Sequence, residues 1–434
     1  MTGQRRTALI VTYAFPPNGA VGSMRPLRWC RWLPRVSAWS CAVLTVDREP
    51  ARRDGTLLES LPPDVPVVRT PVSEPWYRLN PPDRSPGVLR RAALRCLAPA
   101  LEPLATPDPQ VFWRRTMVPA GCRLARELGV DVVVVTAPPW SSLLGAASLA
   151  RRARRPLVID FRDPWTEIDR GPMSAWRSRW ERRAERQVCA QAAVAISTSD
   201  TYSANLRARC PGVPADRFVT LHNGFDEEAF AAAPDPGVAP TGLTVVHLGS
   251  LYARRQPFAA LAGMRRWLDT HPERAAQFRL VFVGTPDGAT RRAVADNGLE
   301  PVCEMTGHVP HAEAIARCRA ADLLLLAMGD TTLTPAGWLP SKLFEYLAIH
   351  RPVLAHTVEG EAAGLLRAAG AAAVVAGCDP AAFADALERH WQAKHQLGHA
   401  VPHRNLDAVV GQLRQESLAS RLAGILDRAA GTPA

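Results

Sequence analysis

Residues 339–355 read LPSKLFEYLAIHRPVLA: a Pro-Ser-Lys turn, an apolar helix holding one glutamate, and a short apolar run opened by Pro352. Turn, helix and buried strand in quick succession form the repeating unit of a parallel sheet covered by helices. The same grammar extends outward. Upstream, LTVVHLGS is a strand ending on glycine, PFAALAGMRRWLDTH a helix, FRLVFVGTP a strand, HAEAIARCRAA a helix and DLLLLAM a strand. Downstream, RPVLAHT, AAGLLRAAG and AAVVAG continue the alternation. The first half opens with the strand TALIVTYAF, the loop PPNGAVGSMRP, the helix LRWCRWLPRV and the strand SCAVLTV. Further buried-strand signals come at VDVVVVTAP, PLVIDF, AAVAIST and FVTLHNGF. Residues 50–115, rich in Pro and Arg, resist assignment.

A chain of 434 residues is too long for one ordinary core. The expected fold class is α/β, with two Rossmann-like doubly wound domains facing a cleft and a C-terminal helix closing the chain. The boundaries read as 1–229 for an N-terminal domain and 230–242, FAAAPDPGVAPTG, for a linker. Residues 243–400 read as a second doubly wound domain, and 401–434 as a helical segment packing back toward the N-terminal domain. Ligands of such sheets bind at the C-terminal edges of the strands.

Composition excludes several classes. No apolar run reaches the roughly 18 residues that span a bilayer, and the N-terminus reads as a buried strand broken at Pro16-Pro17 rather than a signal peptide. Nine cysteines without a C-x-x-C pair argue for reduced thiols in a cytoplasmic setting, against a disulfide framework or zinc ribbon. His308 and His311 form the only close histidine pair with even a faint metal look, and the sequence gives them no carboxylate partner, so no metal is expected there. Net charge of +11 suits an anionic partner. A GC-biased genome writing arginine for lysine explains part of it, since 50 arginines stand against two lysines, Lys342 and Lys394.

Lys342 is therefore singled out. Ser341 reads as an N-cap, which puts Lys342 in the first helical turn beside unbonded backbone N–H groups. The helix dipole disfavours a cation there, and a bound anion such as a phosphate resolves the conflict. The plainer reading is a solvated lysine paired at i, i+3 with Glu345, worth a few tenths of a kcal/mol. Glu345 itself, on an otherwise apolar helix, suits a ribose diol or is a surface glutamate.

Together these residues resemble the GT-B glycosyltransferases, specifically the retaining family 4 type. FPPNGAVGSMRP resembles the N-terminal loop over the donor phosphates, and DFRDPWTE the Arg-Asp-x-Trp stretch of the cleft. LHNGFD resembles the Asn-Gly-x-Asp segment before the linker, HLGSLYARRQP the first loop of the nucleotide domain, and PSKLFEYLAIHRPVLA the Lys/Glu helix. The match runs over roughly residues 7–390. The resemblance implies that Arg255, with Arg254 its rival, and Lys342 contact the diphosphate, and that Glu345 holds the ribose hydroxyls. It implies that Gly249, Gly19 and Gly22 let backbone approach the phosphates. Arg162, Asp163 and Asn223 would face the sugar or acceptor, with Asp163, Arg255 and Lys342 carrying catalysis. For Asp163 an N-cap or a salt bridge with Arg162 or Arg170 stays open.

One departure stands out. The family's first glutamate, seven intervening residues before Glu345, falls at Gly337, so the group gripping the sugar is unassigned and Asp330 is a bare candidate. The chain has no Asp-x-Asp pair, which argues against a metal-chelating donor site. The implied chemistry uses a UDP-, GDP- or dTDP-linked donor, a hydroxyl acceptor, no cofactor, no metal and no nucleic acid. Two stretches, SAWRSRWERRAERQVCAQ and VLRRAALRCLAPALEPL, could lie on the inner face of an anionic membrane. Core packing of their apolar stripes is the preferred reading. Alternatives kept open are a GT-B epimerase and a non-catalytic basic nucleic-acid- or membrane-binding protein. A Rossmann dehydrogenase is disfavoured because NGAVGS does not supply G-x-G-x-x-G.

Overall fold

The computed structural model describes residues 5–50, 53–74, 102–168, 171, 173–234, 242–249, 251, 256–329, 336–370, 373–376, 379–397 and 406–431. The chain divides into two units, Met1–His222 with Glu416–Ala434, and Asn223–Gln415.

In the first unit seven strands make one parallel sheet: β1 (Arg6–Thr12), β2 (Trp39–Asp47), β3 (Val67–Pro71), β4 (Val132–Ala137), β5 (Leu157–Phe161), β6 (Val194–Ser197) and β7 (Phe218–Thr220). Their order is β3-β2-β1-β4-β5-β6-β7. The central strands are apolar on both faces, as a sheet covered on both sides requires. Leu9, Val11, Val133 and Val135 enter one core layer, with the helices Arg114–Glu127, Ser141–Ala153 and Ala175–Gln191. Ala8, Ile10, Val132 and Val134 enter the other, beneath the helix Met24–Val36 and the C-terminal helix Gln415–Ala430. That last helix lays Leu418, Leu422, Ile425 and Ala429 along one stripe, at helical spacing, into the first unit. Its Asp427 accepts from Trp39 Nε1 at 3.0 Å.

The second unit repeats the plan with β8 (Leu243–Leu248), β9 (Phe278–Val283), β10 (Cys303–Gly307), β11 (Leu323–Ala327), β12 (Val353–Thr357) and β13 (Ala373–Ala376), ordered β10-β9-β8-β11-β12-β13. Both sheets thus wind third-second-first-fourth-fifth-sixth. The winding reverses between β1 and β4 and again between β8 and β11, the places where such folds hold ligands.

Three details correct the sequence reading. The chain passes between units at 222/223, not at 229, because Phe225 and Phe230 meet edge to face at 5.4 Å inside the second unit's core. Val410 and Leu413 fill the same cluster, so residues 406–415 stay with the second unit and the return begins at Glu416. Strands β3 and β10 were not expected; both are edge strands whose half-exposed residues lack the apolar run of a central strand. Of the expected linker, residues 235–241 lie outside the described residues.

Of the two basic stretches, 88–101 lies outside the described residues. The other forms the helix Ala175–Gln191, which buries Ala184, Val188 and Cys189 and leaves Trp176 50% exposed. No helix among the described residues is long and apolar enough to cross a membrane.

Candidate active site

At the second unit's reversal point the ladder between β8 and β11 covers Val245↔Leu323 and Val246↔Leu324, and then the strands part. Two side chains take over the backbone groups left behind. Tyr346 Oη accepts from Leu248 N–H at 2.7 Å and donates to the Leu325 carbonyl at 3.2 Å. Burial holds the Tyr346 phenol well above its usual pKa, so the hydroxyl keeps the proton it donates. His247, fully buried, bonds the same Leu325 carbonyl through Nδ1 at 2.9 Å. The wedge that opens between the strands is thus lined by bonded polar groups rather than orphaned ones.

The helix Ser341–Ile349 points its N-terminus at this wedge. Pro340, in extended conformation, is its N-cap; Ser341 is the first helical residue, so the helix starts one position earlier than expected, and no side chain caps the end. Leu343, Phe344, Tyr346, Leu347 and Ile349 are buried, which leaves Lys342 and Glu345 on the open side. Lys342 Nζ stands 3.2 Å from His247 Nε2. It also lies against Gly249, where a Cβ would sit 3.4 Å from the ammonium nitrogen. Gly249 has φ +97°, a conformation side chains disfavour, and its N–H bonds the Val283 carbonyl at 2.7 Å. A Cβ on Gly284, at φ +138°, would sit 2.7 Å from the Gly249 backbone, so the β8 and β9 loops cross in direct contact. One turn along the helix, Glu345 Oε1 meets His311 Nε2 at 3.2 Å. His311 therefore does have a carboxylate partner, one the sequence hid because the two residues are 34 positions apart.

The first unit's reversal point is built differently. Asp160, on β5, is fully buried and receives Arg25 Nη2 at 2.8 Å, Arg25 Nε at 3.1 Å and Thr136 Oγ1 at 2.7 Å. Arg25 also donates to the Leu221 and His222 carbonyls, both at 2.9 Å. This fork ties the start of the helix Met24–Val36 to β4, β5 and the end of β7. Arg162 does the same with carbonyls, donating to Gly22, Pro138 and Ala137. Burial presses its pKa down, while Asp160 and Asp163 push it back up.

Several expectations are corrected here. The Arg162 guanidinium is taken up by carbonyls of two loops. Gly22 is small for a related reason: a Cβ there would lie 2.3 Å from Arg162 Nη1. Trp165 of the DFRDPWTE stretch is fully buried, donating to Glu181 Oε2 at 2.9 Å. Asn223 belongs to the second unit, where its carbonyl accepts from Gln415 Nε2 at 3.0 Å. Asp163 and Gly19 are partly exposed, in the bend after β5 and the loop after β1. Arg254, Arg255 and Asp330 lie outside the described residues. Sequence reasoning missed His247, Tyr346, Arg25, Asp160 and Gly284. For His247 and Asp160 a signal existed: a polar residue inside an otherwise apolar strand is rarely there by default.

Residues 83–229 match the family model Glycosyltransferase Family 4, and residues 242–393 match Glycosyl transferases group 1. The two matches together span about two thirds of the chain. Among solved structures, HepE from Anabaena in complex with UDP and glucose superimposes with TM-score 0.63 at 16% identity, over 97% of this chain and 99% of that one. Sucrose-phosphate synthase from Thermosynechococcus elongatus gives 0.61 at 15%, over 98% and 99%. The UDP-forming α,α-trehalose-phosphate synthase from Burkholderia vietnamiensis gives 0.61 at 14%, over 97% and 99%. No curated protein sequence matches the chain significantly. Two doubly wound units with the same winding define the GT-B class of two-domain enzymes. The chain belongs to the GT-B glycosyltransferases of the family 4 type.

Proposed function

We propose that the enzyme moves a sugar from a nucleotide-sugar donor to a hydroxyl acceptor, with retention at the anomeric carbon and without a metal. One observation carries this reading: the Lys342 ammonium stands beside Gly249 at an uncapped helix N-terminus, where β8 and β11 part. Cation, helix dipole and close-approaching backbone together form a site for a dianionic leaving group. In this scheme Lys342 and Arg255 offset the charge growing on the nucleoside diphosphate, and Glu345 holds the ribose diol. Asp163 faces the acceptor. The anomeric carbon–oxygen bond to phosphate breaks as the acceptor oxygen attacks on the same face, and its proton passes to the departing phosphate oxygen. No protein nucleophile and no cofactor enters.

A UDP-linked sugar is the first donor to test, given that HepE was seen with UDP and glucose. The acceptor is a small molecule or a lipid-linked or cell-envelope glycan, the latter with peripheral membrane contact. Titration calorimetry with UDP, GDP, ADP and dTDP tests the donor site: one of them binds, and failure of all four removes the reading. Turnover persisting in EDTA, with a product of unchanged anomeric configuration by NMR, is the expected result for the chemistry.

A further inference from the structure

We infer that His247 is a positioning residue for the donor site: a neutral imidazole that aims the Lys342 ammonium at the space beside Gly249 without cancelling its charge. The inference rests on the reading of Lys342 as a diphosphate contact and adds a residue to it.

The hydrogen-bond pattern fixes the tautomer. A carbonyl can only accept, so the bond from His247 Nδ1 to Leu325 O at 2.9 Å requires the proton on Nδ1. Nε2 is then a lone pair, and the 3.2 Å contact with Lys342 Nζ is an ammonium donating to it. The ring cannot swing away, since it is fully buried and packed on Phe282 with centroids 5.9 Å apart. Nor does it take a second proton readily: an imidazolium would stand 3.2 Å from an ammonium inside the fold, and both burial and Lys342 oppose that. A carboxylate at this place would hold the lysine equally well but would neutralise it. A neutral acceptor fixes direction without itself neutralising the ammonium.

The geometry explains two further features. Lysine rather than arginine suits the place, because a compact ammonium reaches one ring nitrogen while lying against the Gly249 backbone. A histidine on a buried strand also has an accounted pair of partners, one from β11 and one from the helix Ser341–Ile349.

The test separates direction from packing. His247→Asn keeps a donor near the Leu325 carbonyl and removes the acceptor at the Nε2 position; His247→Gln puts an oxygen back there. Binding of whichever nucleoside diphosphate the full-length enzyme takes is measured by calorimetry for both variants, for Lys342→Ala, and for the His247→Asn/Lys342→Ala double variant. We expect His247→Asn to weaken binding about tenfold, His247→Gln to recover it to within about threefold of wild type, and His247→Asn to add nothing in the Lys342→Ala background. Full affinity in His247→Asn, or losses that simply add, would overturn the role of His247 while leaving Lys342 in place. Full affinity in Lys342→Ala would instead remove the anion site and this inference with it.

Discussion

The two units share one winding but treat their reversal points in opposite ways. In the first, the cations are matched by the protein itself: Arg25 meets the buried Asp160 carboxylate and two carbonyls, and Arg162 meets carbonyls of two loops. In the second, Lys342 meets a neutral imidazole beside a bare glycine backbone. A cation paired with a carboxylate locks loops together, whereas a neutral acceptor positions a cation without itself neutralising it. The same topology thus gives a carboxylate-braced cation in one unit and an imidazole-positioned cation in the other.

Breaking the brace should have the largest effect. Asp160→Ala leaves Arg25 buried without its carboxylate, a loss on the order of 3 to 5 kcal/mol of stability. Denaturant unfolding should show it, and nucleoside diphosphate binding, measured where the variant is still folded, should be unchanged. A large drop in nucleotide affinity with stability intact would mean the first unit's cations serve the donor, and the contrast between the edges would fail.

Lys342→Ala is the mirror experiment. It should cost roughly 2 to 4 kcal/mol of transition-state stabilisation, read as kcat/KM, with little change in unfolding midpoint. Lys342→Arg should recover only part of that, since the place beside Gly249 suits a point charge. A stable, fully active Lys342→Ala enzyme would make the second edge as structural as the first.

Gly22→Ala probes the brace more gently. The added methyl drives against Arg162 Nη1, which must leave its carbonyls, at a cost of about 1 to 3 kcal/mol. Pairing it with Arg162→Ala should make the two losses less than additive; strict additivity would mean Gly22 is small for another reason.

These contrasts also mark how much was readable in the sequence. Central strands announced themselves because both faces are buried, as in the VVVV run of β4 and the LLLL run of β11. The edge strands β3 and β10 did not, since partial exposure permits polar residues such as Arg69 and Glu304. Lys342, Gly249 and the helix between turn and strand were legible from local chemistry. Their partners were not: His247 lies 95 positions from Lys342, and Arg25 135 positions from Asp160, so only the fold joins them. Rarity of lysine was an imperfect guide. Lys394 is as rare, yet it is a structural latch, pairing with Asp322 at 2.7 Å and donating to the Gly242 carbonyl. For Arg162 the motif position did not say which carbonyls lie within reach.

The smallest expected effect is on acid stability, and it bears directly on the neutral partner of Lys342. His247 is held well below the ordinary histidine pKa, first by burial and then by Lys342, against a weaker upward pull from the Leu325 carbonyl. The groups facing it are Lys342 from the helix, Phe282 from β9 and the Leu325 carbonyl of β11. The unfolded chain binds a proton there near pH 6.5, and the folded chain does not. This contribution to stability is therefore complete above about pH 6.5 and is lost as pH falls from there toward the lowered folded value. Between pH 7.5 and 5.5 it amounts to about 1 kcal/mol. In His247→Asn that slope disappears, so the stability gap between wild type and variant should narrow by this amount on acidification. A gap that stays constant across the range would mean His247 is protonated in the fold, and the ammonium of Lys342 would then lack its neutral acceptor.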